Sequence, residues 1–430
     1  MTHRHERTLN IGALARVEGE GAMQVRVAGD RVEEILLNIY EPPRFFEAFL
    51  RGRAYTEPPD ITSRICGICP VAYQMSACRA VESACGVAVD GPLGDLRRLM
   101  YCGEWISSHA LHIYLLHAPD FLGYPSAVEM ARAYRPLVER GLELKKTGNA
   151  IIELLGGRAI HPVNVRVGGF HRVPTPRELR GLVPGLRRAL EDALATVRWV
   201  AGFDFPDLTF DHEFLALTGE EYPLERGTPR TTTGAAFEVA DFEDEVAEYQ
   251  VPHSTALHSR LVHGGRYLTG PLARFALNRD RLSPLAHEAA ADAGLGHECR
   301  NPFQSIVVRA VEIVHAVEEA LRVIASYEPP PPYVPVRARA GRGHGATEAP
   351  RGLLYHRYDL DGEGLLTSAR IVPPTSQNQA AIEEDLRRLV QDRLDLDDAA
   401  LTSACERTIR SYDPCISCAA HFLDLKVVRS

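Results

Sequence analysis

Apolar residues recur at the helical period through much of the chain. In 302–327, Ile306, Ala310, Ile313, Val317, Ala320 and Ile324 trace one face. The run Pro329 to Pro332 stops that helix. A second helix is predicted from the first Cys-x-x-Cys pair to about Cys85, with Gly86 as its stop. Others are expected over 93–118, ended near Pro119, and over 127–155, ended by Gly156-Gly157. A helix over 175–203 would be capped by Thr175 with Pro176 in its first turn, and Pro184 predicts a kink. Two more fall at 378–397 and 398–411. Strand patterns are fewer. AMQVRVAG and VEEILLNIY flank Gly29-Asp30 and read as a β-hairpin over 20–40. Glu-Pro-Pro at 41–43 ends it, and 44–52 reads as a short helix. Residues 205–285 lose helical periodicity and gain threonine, glycine and aromatic residues, as a small β-rich insertion would. The Gly/Arg-rich stretch 337–352 reads as a loop.

The expected fold is therefore α+β, mainly α: a central helical bundle with an N-terminal β-hairpin and a smaller β-rich insertion. Four stretches divide the 430 residues. They are 1–60 (hairpin and short helix), 61–204 (helical core with the first cysteine motif), 205–300 (β-rich insertion) and 301–430 (helical core with the last cysteine motif). Composition sharpens this only by exclusion. With 45% hydrophobic and 24% charged residues the chain is globular, neither disordered nor collagen-like. A net charge of −9 argues against a general nucleic-acid binder. The N-terminal residues show no apolar signal stretch, and no run of about 18 apolar residues suggests a membrane span. A cytoplasmic protein is expected, its nine cysteines serving as thiols or metal ligands.

Two cysteine pairs carry the chemistry: Arg-Ile-Cys66-Gly-Ile-Cys69, and Asp413-Pro-Cys415-Ile-Ser-Cys418-Ala-Ala-His421. Three-residue spacing lets each pair aim two sulfurs at one point. Four thiolates make a soft cage that selects zinc, nickel or clustered iron over hard cations. A redox-active pair is disfavoured by there being two. A structural zinc site would ordinarily close over a few tens of residues, whereas these pairs lie at opposite ends of the chain. Cys78, Cys85, Cys102, Cys299 and Cys405 are scattered and read as buried thiols.

Together the two motifs resemble the large subunit of a nickel–iron hydrogenase. Arg16-Val17-Glu18-Gly19, His161-Pro162 with Gly168-Gly169, Gly270 to Arg274, Glu348 to Gly352, and Pro374 to Asn378 also fall where that family has motifs. The resemblance implies that Cys66 and Cys415 bind nickel terminally and that Cys69 and Cys418 bridge nickel to an iron carrying CO and cyanide. Pro350, Arg351 and Thr375 would line those ligands, with Thr375 donating to a cyanide and the Arg351 guanidinium over the open face. Asp120 and Asp413 would be the outer carboxylates that pair with that arginine. Glu47 and His421 would hold a separate magnesium-type ion. Tyr73 stands where many members have a histidine beside a cysteine sulfur. The form RICGICPVAYQMSA resembles the soluble cytoplasmic branch linked to pyridine nucleotides. That branch implies an iron–sulfur small subunit, flavoprotein (diaphorase) subunits binding NAD(P), and a maturation protease that cuts after His421, ahead of FLDLKVVRS (422–430).

Elementary chemistry supports the same reading. Splitting H2 heterolytically needs a Lewis-acidic metal and a nearby base. Glu18, on a glycine-flanked turn, is the first relay carboxylate after the Cys415 sulfur. No further cysteine grouping exists for an electron-carrying cluster, so electrons must leave through another polypeptide. Taken singly, Arg351 could be a surface arginine, Glu18 a solvated turn residue and Asp120 a helix cap. His161, Gly168 and Gly169 read as structural. The alternatives are an H2-sensing or other-acceptor hydrogenase of the same family, a structural four-cysteine zinc scaffold, and a complex-I-like subunit, which would be expected to lack the four cysteines.

Overall fold

The computed structural model describes residues 6–42 and 44–420. Its frame is helical. Gly91–Leu111 packs against Arg135–Gly156 and against Ser305–Ala325, which in turn packs on Val183–Ala201. All six residues of the apolar face traced in 302–327 are buried. That helix is in fact buried almost all round, as a central bundle helix must be. One core joins these helices to the N-terminal sheet and to Leu386, Leu401 and Ile409 near the C-terminal end.

The hairpin forms as Gly21–Ala28 and Arg31–Ile39. A third strand, Glu6–Ile11, adds antiparallel to the first and makes a meander. The insertion contains two small strand groups. Glu213–Thr218 pairs with Thr228–Thr231 and Tyr267–Leu268, and Val246–Tyr249 pairs with His258–Leu261. Helices Pro271–Asn278 and Pro284–Asp292 accompany them.

Several expected boundaries move, each for a local reason. The helix expected to end near Pro119 passes through a widened π-helical turn, His112–His117, and continues as Ala118–Leu122. Pro119 lies in the first turn of that last piece, where its missing N–H costs nothing. The 127–155 helix breaks at Tyr134, one residue before the Arg135-Pro136 start of Arg135–Gly156. Thr175 caps the helix as the sequence suggests, and Glu178 reaches back to make the cap reciprocal. Pro184 then opens a second helix, Val183–Ala201, instead of kinking one.

The largest correction concerns 337–352. Gly341–Ala349 is a strand, the first of a three-stranded antiparallel sheet with Gly352–Leu360 and Leu366–Val372. It lies directly on helix Pro70–Cys85. A Cβ on Gly343 would sit 2.1 Å from the Ala80 carbonyl oxygen, and one on Gly345 2.4 Å from that of Ser76. The glycines that suggest a loop are there so that strand and helix backbones can touch. This contact carries Arg351 from the strand's end toward the first cysteine pair.

Candidate metal centre

Each cysteine pair is set by its own backbone. Cys66 is extended after the turn Ser63–Ile65, and Cys69 precedes helix Pro70–Cys85. The amides of Ile68 and Cys69 donate to the Cys66 sulfur at 3.2 and 3.4 Å. The buried Glu104 carboxylate accepts from the Val71 and Ala72 amides at 2.6 and 3.0 Å, which closes the helix start next to the pair. Cys415 and Cys418 lie on the short helix Ile416–Ala419 and its leading residue. The Cys415 amide donates to Thr375 Oγ1 at 2.9 Å.

The N-terminal turn locks onto this segment. Ile416 N–H donates to the Glu18 carbonyl at 2.9 Å, and Ser417 N–H donates to Glu18 Oε2 at 3.0 Å. Gly19 has φ +90°, and a Cβ there would lie 2.7 Å from Ile416 Cβ, so only glycine lets the two segments close. Arg44 ties the pairs together. Its guanidinium donates to the carbonyls of Ile65, at 2.7 Å, and of Ser417.

The result is one buried cage. Cys66 and Cys415 sulfurs are 3.4 Å apart, Cys69 and Cys418 3.6 Å, and Cys415 and Cys418 2.8 Å. All four lie within 4.8 Å of one another. Burial and the neighbouring thiols push Cys415 well above its ordinary range. Cys66 is drawn down by its hydrogen bond with Cys415. Four thiolates so close need a cation to ionise together.

Polar groups rim the cage. Cys415 Sγ–H points at Glu18 Oε2 across 3.1 Å. Arg351 is buried, and its Nε and one terminal nitrogen donate to the Asp413 carbonyl and carboxylate at 2.9 and 3.0 Å. Its other terminal nitrogen donates to Ser108 at 3.2 Å. Burial alone would weaken the Arg351 charge, but Asp413 and the sulfurs of Cys415, Cys69 and Cys66 offset this and hold it firmly protonated. Tyr73 is buried near the cage, and burial with the Cys418 and Cys69 sulfurs keeps its hydroxyl protonated. The Pro350 carbonyl accepts from the buried Arg274 at 3.0 Å.

Likeness to known proteins decides what this cage belongs to. The nickel-dependent hydrogenase family pattern matches residues 44–140 and 302–421. The chain is 34% identical to the alpha subunit of sulfhydrogenase 1 of Pyrococcus furiosus, over 97% of this chain and 98% of that one. The chain belongs to the nickel-dependent hydrogenases as a large subunit. It is also 32% identical to the alpha subunit of sulfhydrogenase 2 of the same organism, over 97% and 100% of the two chains. The crystal structure of an NAD+-reducing [NiFe]-hydrogenase in the H2-reduced state shares its fold with a TM-score of 0.86 and 28% identity, covering 96% of this chain and 99% of that one. This hydrogenase chain is thus an oxidoreductase whose metals are nickel and iron, and four soft, buried sulfurs are the donor set those metals need.

The structure brings Cys66, Cys69, Cys415, Cys418, Glu18, Arg351, Asp413 and Thr375 to one point. Asp120 departs from expectation. It does not pair with Arg351; its carboxylate binds Arg410 at 2.8 and 2.9 Å and also Arg16. Asp120 lies in the short helix Ala118–Leu122, which directly follows the widened turn His112–His117. Burial would raise its pKa, but Arg410 and Arg16 win and keep it ionised. Glu47 is buried and accepts from the Ile371 amide at 2.8 Å. Its helix starts two residues after Arg44, whose amide donates to the Ala420 carbonyl. His421 and the 422–430 tail lie outside the described residues. Sequence reasoning missed Arg44, Glu104, Ser108 and Glu312, and it gave no role to Arg274 and Glu348, which it placed in motifs; Arg274, Glu312 and Glu348 form a buried cluster with ion pairs of 2.8 and 3.1 Å. A lone acid in an apolar helix, as in Tyr101-Cys-Gly-Glu104-Trp-Ile106, is the signal that could have found Glu104. Among the described residues no helix is long and apolar enough to cross a membrane.

Proposed function

We propose that this hydrogenase chain splits H2 reversibly into two protons and two electrons at a nickel–iron pair whose iron carries CO and cyanide. Cys66 and Cys415 would hold nickel alone, and Cys69 and Cys418 would bridge it to iron. The bound metals supply the Lewis acidity that polarises H2. The observation that carries the reading is the 3.1 Å contact between the Cys415 sulfur and Glu18, inside a cage built from both ends of the chain. The Cys415 sulfur takes the proton and passes it to Glu18. Ser417 touches both carboxylates, its amide donating to Glu18 Oε2 at 3.0 Å and its hydroxyl to Glu41 Oε2 at 3.0 Å, so the partly exposed Glu41 would be the next carboxylate on the way out. Arg351, fixed by Asp413 and Ser108, holds a positive charge against the sulfurs and fills the space that water would otherwise take. Thr375 Oγ1 already accepts from Cys415, which leaves its hydrogen free to donate to a cyanide. Glu47 and His421 would bind a magnesium-type ion, and a maturation protease would cut after His421.

Electrons would leave through an iron–sulfur small subunit to flavoprotein subunits that reduce NAD(P)+ in the cytoplasm. The likeness to an NAD+-reducing enzyme supports this acceptor. Infrared spectroscopy of the purified complex tests the metal assignment: bands of metal-bound CO and cyanide are expected, and their absence in active enzyme would refute it. H2-dependent reduction of NAD+ or NADP+ by the same preparation tests the acceptor.

A further inference from the structure

Away from the cysteine cage, His253, His258 and Glu383 place three ligand atoms within 4.8 Å of one another. We propose that these residues form a further metal site, for a divalent cation of the zinc class, which clips the hairpin Val246–Leu261 to helix Pro374–Gln391. His253 lies in the hairpin's turn, His258 opens its second strand, and Glu383 projects from the helix. His253 Nε2 is 2.8 Å from Glu383 Oε1, and His258 Nδ1 is 4.0 Å from Glu383 Oε2. Tetrahedral zinc with bonds near 2.0–2.2 Å separates its ligands by about 3.3–3.5 Å. The two observed gaps straddle that value, so small side-chain shifts suffice. Each carboxylate oxygen already faces a different imidazole.

The surroundings favour binding. The Leu37 amide donates to Glu383 Oε1 at 2.9 Å and fixes the carboxylate, as groups behind a metal ligand commonly do. His258 is buried edge-on to Tyr249 and His253. His253 is half-buried and lines two surface hollows of about 610 and 300 Å³, which give an ion and its waters a way in. Two imidazoles and one carboxylate suit zinc or its first-row neighbours and not magnesium or calcium.

The test uses the complete nickel-loaded complex, equilibrated with micromolar Zn2+ in millimolar Mg2+ and then assayed for metals and thermal midpoint. The wild type should hold one more zinc per chain than His253→Gln and Glu383→Gln, with nickel and iron unchanged in all three. Zinc should raise the wild-type midpoint by several degrees and leave both variants unmoved. A glutamine in place of Glu383 can still accept from the Leu37 amide, and His253 is half-buried, so both variants should fold. Equal zinc in the three proteins, or a midpoint that rises equally in all, would overturn the site and leave only a His253–Glu383 ion pair.

Discussion

Glu18 meets the C-terminal cysteine motif at three points: its carbonyl holds Ile416, and one carboxylate oxygen faces both the Ser417 amide and the Cys415 sulfur. The first two contacts are structural and survive in glutamine; only the third needs a proton acceptor. Glu18→Gln should therefore keep its metals and fold while H2 uptake and H/D exchange fall by about 10²–10⁴-fold. Glu18→Asp should recover part of the loss. Unchanged exchange in the glutamine variant would remove Glu18 from the relay. Arg44 acts differently. It touches neither sulfur nor metal, yet its guanidinium spans the carbonyl of Ile65, just before Cys66, and that of Ser417, just before Cys418. That makes it a positioning residue for both pairs.

Among the elements, the strand Gly341–Ala349 shows where sequence reading failed and why. Its glycines carry no side chain to alternate, so the strand pattern is silent, and the reason for them is a helix far away in the chain. Gly345→Ala should destabilise the protein by about 1–3 kcal/mol, because its Cβ meets the Ser76 carbonyl and Ala80 amide. Gly362→Ala, with open space around it, is the control and should be near neutral. By contrast, the Thr175 cap with Pro176 behind it and the Gly86 stop were legible, because caps act within one turn of the chain. The four cysteines, Glu18, Arg351 and Asp413 were legible because motif and chemistry coincide. The partners of Asp120 were not, since Arg16 and Arg410 reach it from segments far away in the chain. Helix Ser305–Ala325 carries a pH sensitivity of its own. Burial lowers the pKa of His315 to about 4, and its Nδ1 accepts from the Ser283 amide. The unfolded chain takes up this proton first as pH falls below about 6.5, so stability is full above that pH and declines toward pH 4, at up to about 1.4 kcal/mol per unit. The thermal midpoint should fall less between pH 7 and pH 5 in His315→Gln than in the wild type; an equal fall would show that other groups dominate.

On the scale of the whole molecule, the fold works to bring two distant ends of one chain together. The turn at Glu18-Gly19, the strand ending next to Arg351 and the helix beginning at Pro374 all converge on the last cysteine motif. On the proposed reading the centre forms only when both ends are in place, and each pair would supply half of the cysteine ligands. Nickel and iron content per chain, measured on the wild type, Cys69→Ser and Cys418→Ser, tests this most directly. The account predicts about one of each metal in the wild type, and the loss of both metals together whichever end carries the substitution. Full nickel and iron retained in either variant, or zinc alone in the wild type, would contradict it.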